Sequence, residues 1–186
     1  MEPVTLARKL GTTAHLSCLR QSAKRVGLVT ENDLIDEAVA RGCFHYMQHI
    51  GHPPAQRVSE AEFSNEKLAL ALLSIANPYE PWLIRVGAML LSHPGCDVRK
   101  LALYAKYERS EVIVREIALA GIRYEPENEY WKQLLALLPE TAPPKSGVMP
   151  HHTRFVSMPG IVGPNRKTGA TTWLRPHKPA GLGYAA

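Results

Sequence analysis

Apolar positions recur at helical spacing from residue 30 to Leu138 and then lose all period. Thr30 with Asp33 forms an approximate capping box. The helix it opens carries Ile35, Val39, Tyr46 and Ile50 close to one face, with Asp33, Glu37, Arg41 and Gln48 opposite. Gly51 and the His52-Pro53-Pro54 run are expected to stop it. Ser59 with Glu62 makes a full capping box, and a second start at Ser64 leads into an uncharged helical stretch over 68–76.

From there the punctuation is regular. Pro78, Pro94 and Pro126 fall on a spacing of 16, and Ser110 occupies the step that lacks a proline. The marks separate four helix-length segments, 81–92, 97–109, 111–124 and 127–138, with Asp97 and Ser110 as N-caps. Joints this short allow only antiparallel neighbours. Segment 81–92 carries a single charge, Arg85, so it and 68–76 are expected at the centre. Segments 97–109 and 127–138 are one-sided and belong to an outer layer. The pattern predicts an all-α fold of stacked antiparallel helical hairpins, repeat-like and solenoid-like, with a helix pair about every 32 residues. It resembles HEAT and tetratricopeptide arrays in outline only. The tetratricopeptide consensus is absent and the period is short for HEAT, so no family follows.

Either side of this helical body (30–140) the chain changes character. Residues 1–29 read as a basic helical segment broken at Gly11, with Thr12 or Thr13 capping a second piece that runs to Val26. Residues 141–186 read as a Pro/Gly-rich tail. Eight prolines fall between 139 and 186, and Val148, Phe155, Val156, Trp173 and Leu174 are scattered without helical period. Proline removes backbone donors and glycine costs chain entropy, so this stretch cannot build a domain by itself. It is expected to be an extended, irregular arm lying on its own body, a neighbouring subunit or nucleic acid.

Charge sharpens that division. The net +5 hides +4 in residues 1–29, −5 in 30–140 and +6 in 141–186, the last without an acid. Basic ends around an acidic centre favour polyanions or acidic protein surfaces, or fold back on the centre. No stretch is long and apolar enough to cross a bilayer, so no membrane partner is expected. Three widely spaced cysteines, Cys18, Cys43 and Cys96, read as reduced thiols in a cytosol-like compartment. The basic, acid-poor start gives organelle targeting as a lesser reading.

The candidate chemistry is that of binding. Lys100, Tyr104 and Tyr107 recur at i, i+4 and i+7, flanked by Arg99 and Lys106, a cation-and-ring pattern suited to phosphates and bases. In the tail, Phe155, Trp173 and Leu174 read as anchors in a partner's grooves, with Arg154, Arg166, Lys167, Arg175 and Lys178 as ionic contacts. Arg20, Lys24 and Arg25 add to the basic N-terminal segment. His45 and His49, four apart on one helix, could join His15 and Cys18 around a zinc ion, although no tight CxxC-type spacing is present. No catalytic motif survives inspection. Ser64 and Lys67 match S-x-x-K without its companions, and Gly163–Gly169 lacks the order of a phosphate loop. The sequence points to a non-catalytic subunit or adaptor in an assembly with other proteins. The alternatives are an accessory nucleic-acid-binding protein and a small zinc-stabilised helical protein.

Overall fold

Side-chain caps set most helix starts in the structure, a computed structural model that describes residues 4–46, 55–157 and 171–177. Thr5 Oγ1 accepts from the Arg8 amide and opens α1 (Leu6–Leu10), which Gly11 closes in the left-handed region at φ 74°. Thr30 and Asp33 form the expected capping box at the head of α3 (Glu31–Ala40). Ser64 caps α4 (Asn65–Leu72), and Asp97 accepts from the Arg99 and Lys100 amides to start α6 (Val98–Tyr107). Pro81 opens α5 (Pro81–Leu91) from the first-turn position, where its missing N–H costs nothing. With α2 (Cys18–Arg25), α7 (Glu111–Tyr124) and α8 (Glu129–Leu137), the described residues hold eight α-helices, and the protein is mostly helical.

The core lies where the sequence is least charged. In α5 every residue from Leu83 to Leu91 except Arg85 is buried, and α4 is buried from Leu68 to Leu72. These two helices pack on one another. Around them α2, α3 and α6 pack on α4, while α8 packs on α6 and α7. Helices apolar on most sides must be covered on most sides, and each fully buried Leu or Ile contributes about 1.5–3 kcal/mol. The outer helices are one-sided, as expected: α8 buries only Trp131 and Leu134, and α6 only Leu101, Ala102 and Ala105.

Several boundaries differ from the sequence reading. The second N-terminal helix is capped by Ser17, not by Thr12 or Thr13. The Glu108 carboxylate accepts from the Ser17 hydroxyl and from the Leu19 amide (3.0 Å), holding the start of α2 against the end of α6. Helix α3 stops at Ala40 rather than continuing towards residue 50. Gly42 there adopts φ +114° and the chain passes into a short 3-10 turn, Phe44–Tyr46. Glu37 and Arg41, expected on the outer face, are fully buried as an ion pair at 2.7 Å. The Ser59–Glu62 box forms but closes a turn. Helix α4 ends at Leu72, where the Asn77 side chain donates to the Ala71 and Leu72 carbonyls and replaces the lost turn. Ser110 makes no capping bond; its hydroxyl turns back to the Ala105 carbonyl.

The described part of the tail lies on the body. A 3-10 turn (His152–Phe155) leads into β1 (Val156–Ser157), which pairs antiparallel with β2 (Thr172–Trp173), Val156 opposite Trp173. Val148, Phe155, Val156 and Trp173 are all buried in the common core. Trp173 sits 4.8 Å from the Trp131 ring and 5.6 Å from Phe155. Beyond it, the His177 amide donates to the Gly42 carbonyl at 2.9 Å. None of the described helices is long and apolar enough to cross a membrane.

Candidate functional site

Helix α6 is buried on one side and bare on the other. Leu101, Ala102 and Ala105 face inward, which at 100° per residue leaves Arg99, Lys100, Leu103, Lys106 and Tyr107 in one outward arc. All five are exposed, Tyr107 to 70% and Leu103 to 48%. Arg109 follows, exposed and in the left-handed region at φ 53°. None of these four cations makes an ion pair among the described residues. The neighbouring acids are engaged elsewhere: Asp97 caps the helix and Glu108 is buried on Ser17 and Leu19. Glu66 takes the Asp97 amide at 2.9 Å. Burial works to raise the Glu66 pKa, but that amide, the Ser64 hydroxyl and the charge of Lys100 hold it below its ordinary value. The result is a cationic face with an aliphatic and an aromatic side chain at its middle. Tyr104, expected in the stripe, is half-buried against the core.

The tail residues proposed as anchors are placed differently. Phe155 and Trp173 are buried in this chain's own core: the two-stranded pairing turns Trp173 inward, and Phe155, at the end of the 3-10 turn, stacks on it. Leu174 is half-buried; its amide donates to the Phe155 carbonyl and its carbonyl accepts from the Ser92 hydroxyl. Arg175 is bound by Glu125. Arg20 pairs with Glu31 at 2.7 Å, whereas Lys24, Arg25 and Arg154 are exposed. Arg166, Lys167 and Lys178 lie outside the described residues.

The proposed zinc ligands are not brought together among the described residues, where no three His, Cys, Asp or Glu side chains form a metal-sized group. The reason is local. His45 falls in the 3-10 turn after α3 has ended, so the helical spacing that paired it with His49 does not hold at His45, and His49 lies outside the described residues. His15 has both ring nitrogens buried without a hydrogen-bond partner, while Cys18 is exposed. Burial pushes the thiols of Cys43 and Cys96 up, with Cys96 and nearby acids respectively adding to the effect. Ser64 acts as a helix cap, its oxygen accepting from the Lys67 amide.

A second feature has no counterpart in the sequence reading. Glu116, Leu119, Ala120 and Arg123 recur at i, i+3, i+4 and i+7 on α7 and form one wall of a groove of about 490 Å³. Met149, His151, His152 and Phe155 form the other. The His151 and His152 rings lie 4.1 Å apart, tilted by 34°. Tyr124 Oη is 2.6 Å from His152 Nδ1, and Thr153 Oγ1 is 2.8 Å from His151 Nδ1. The stripe on α7 was legible as a periodicity, but the opposing wall comes from a segment without one. Comparison of the chain with protein-family models, with curated proteins and with solved structures finds no match.

Proposed function

We propose that this chain is a non-catalytic subunit or adaptor of a larger assembly, its helix pairs stacked as hairpins, which docks an acidic protein surface on the outer face of α6. The observation that supports the reading is the set Arg99, Lys100, Lys106 and Arg109. They are exposed and without ion pairs among the described residues, around the exposed Leu103 and Tyr107. Interfaces combine an apolar or aromatic centre with a polar rim, and complementary charge sets partner choice and association rate. The tail sequence carries three further cations, Arg166, Lys167 and Lys178.

A second reading, nucleic-acid binding, rests on the ring of Tyr107, exposed between Lys106 and Arg109 and able to stack on a base while they contact phosphates. One variant separates the two. The triple substitution Arg99→Glu, Lys100→Glu, Lys106→Glu is expected to keep the helical circular dichroism and melting transition, since none of the three is buried. In an adaptor it abolishes co-purification of a partner identified with the unmodified protein. In a nucleic-acid binder it weakens retention of a short single-stranded oligonucleotide, and the salt dependence of binding drops by about three contacts. Unchanged partner retention and unchanged oligonucleotide binding in the triple variant would remove α6 from both readings.

A further inference from the structure

The groove between α7 and the 149–155 turn is built from fixed parts. Val148 is buried, and the Tyr79 hydroxyl donates towards the Gly147 and Val148 carbonyls at 2.9 and 3.0 Å. Phe155 is stacked on Trp173, and Tyr124 holds His152. The wall is thus tied to Tyr79, Tyr124 and Trp173 before anything enters it.

Its chemistry is graded along its length. At one end stand Arg123, exposed and without an ion pair among the described residues, and His152 beside it. The phenol that faces His152 Nδ1 is a natural donor to a neutral imidazole, a tautomer that leaves Nε2–H as a free donor. Partial burial, then the electrostatic influence of neighbouring His151 and Arg123, hold the His152 pKa below its ordinary value, which favours the neutral ring. In the middle, Leu119, Ala120, Met149 and Phe155 make an apolar floor. Glu116 stands at the other end, seven residues before Arg123 on α7 and therefore about 10 Å away along the helix axis. Ligand sites of this size combine an apolar lining with a few convergent polar groups.

We propose that this groove binds a small organic carboxylate with an apolar body, the carboxylate on Arg123 and the His152 Nε2–H, the body over Leu119 and Met149. A hydrogen-bond donor at the ligand's far end, such as an ammonium or hydroxyl group, is taken by Glu116. The site is independent of the α6 face, which lies on another helix.

Three probes of equal chain length test it on the full chain: octanoate, 8-aminooctanoate and octylamine, followed by the Leu119 methyl and His152 ring signals in NMR titrations. Octanoate is expected to saturate, 8-aminooctanoate to bind about threefold or more tighter, and octylamine to bind far more weakly than either. Arg123→Gln, a change at an exposed position, weakens octanoate about fivefold or more. Glu116→Gln removes the advantage of the amino group alone. Octanoate that never saturates, octylamine that binds as well as octanoate, or an Arg123→Gln protein with unchanged octanoate affinity would overturn the proposal. The probe comparison decides the matter even if a variant fails to fold.

Discussion

Glu125 holds Arg175 through both guanidinium nitrogens, Nη1 at 2.6 Å and Nη2 at 2.5 Å, across fifty residues of sequence. The same carboxylate accepts from Trp131 Nε1 at 2.8 Å and from the Asn128 side chain at 2.9 Å. One acid therefore joins the end of α7, the start of α8 and the returning C-terminal strand. A two-pronged, charge-assisted pair of this kind has fixed geometry as well as charge, which separates it from a flexible surface contact.

That arrangement makes stability depend on acidity in a defined direction. Burial works to raise the Glu125 pKa, but the hydrogen bonds from Arg175, Trp131 and Asn128 hold it below 4.5, its ordinary value. A carboxylate depressed in the folded state contributes stability that is fully present above pH 4.5 and is lost as pH falls through the folded value. Glu125→Gln is expected to cost about 1–2 kcal/mol at pH 7, and the gap to the unmodified protein should close as pH falls below 4.5 and through the folded value. Urea unfolding at several pH values measures it. A gap that stays constant with pH would show that the charge at Glu125 is not what holds the strand.

Breaking the buried pair should cost more. Arg41 donates from Nε to Glu37 at 2.7 Å, from Nη1 to the Phe63 carbonyl at 2.6 Å and the Asn65 side chain at 3.1 Å, and from Nη2 to the Val58 carbonyl at 3.0 Å. Glu37 uses its second oxygen on the Arg57 amide. The pair thus pins the loop before α4 to α3. Arg41→Met leaves the buried Glu37 carboxylate without its counter-charge and takes donors from the Phe63 and Val58 carbonyls and the Asn65 side chain, an expected loss of about 3–5 kcal/mol. The double variant Glu37→Leu, Arg41→Met should be less damaged than the sum of its singles. Strictly additive losses in a double-mutant cycle would contradict the coupling.

These two acids mark where sequence reading succeeds and where it stops. The caps at Thr30, Ser64 and Asp97, and the four segments from residue 81 to 138, were legible because capping and helical periodicity are decided within a few residues. Glu37 and Arg41 follow the same periodicity on the face opposite Ile35 and Val39. They are buried because a loop about twenty residues later covers them, which no local pattern records. Trp173 is the same case at longer range, since its partner Trp131 lies on another element. The cations of α6 were legible, but Leu103 and Arg109 entered the surface only when the inward face of the helix was known.

Gly121 shows the cost of filling space. A Cβ there would lie 2.3 Å from Trp131 Cδ2, so the helix surface is notched to take the indole. In an exposed helix Gly→Ala stabilises by about 1 kcal/mol; here overpacking is expected to reverse the sign and cost about 1–3 kcal/mol. Displacing Trp131 also disturbs its bond to Glu125 and its contact with Trp173, so tryptophan fluorescence should change alongside the melting temperature. A Gly121→Ala protein more stable than the unmodified one would refute the notch.

Gly42 is the second hold on the C-terminal strand, and it can be tested apart from the first. Its φ of +114° disfavours any other residue, and a Cβ would lie 2.9 Å from the His177 amide nitrogen. That amide donates to the Gly42 carbonyl, and Cys43 and His177 form a parallel bridge, so the contact needs a glycine for both conformation and approach. Gly42→Ala is therefore expected to destabilise the protein by about 1–3 kcal/mol and to speed hydrogen exchange at the His177 amide. Arg175→Met, by contrast, should perturb the Trp131 indole while leaving Gly42 in place. If both variants released the strand identically, with the same amides exchanging faster, the two holds would be one cooperative unit. Separate exchange patterns are the expected outcome, because Gly42 lies after α3 and Glu125 after α7, on different elements of the body.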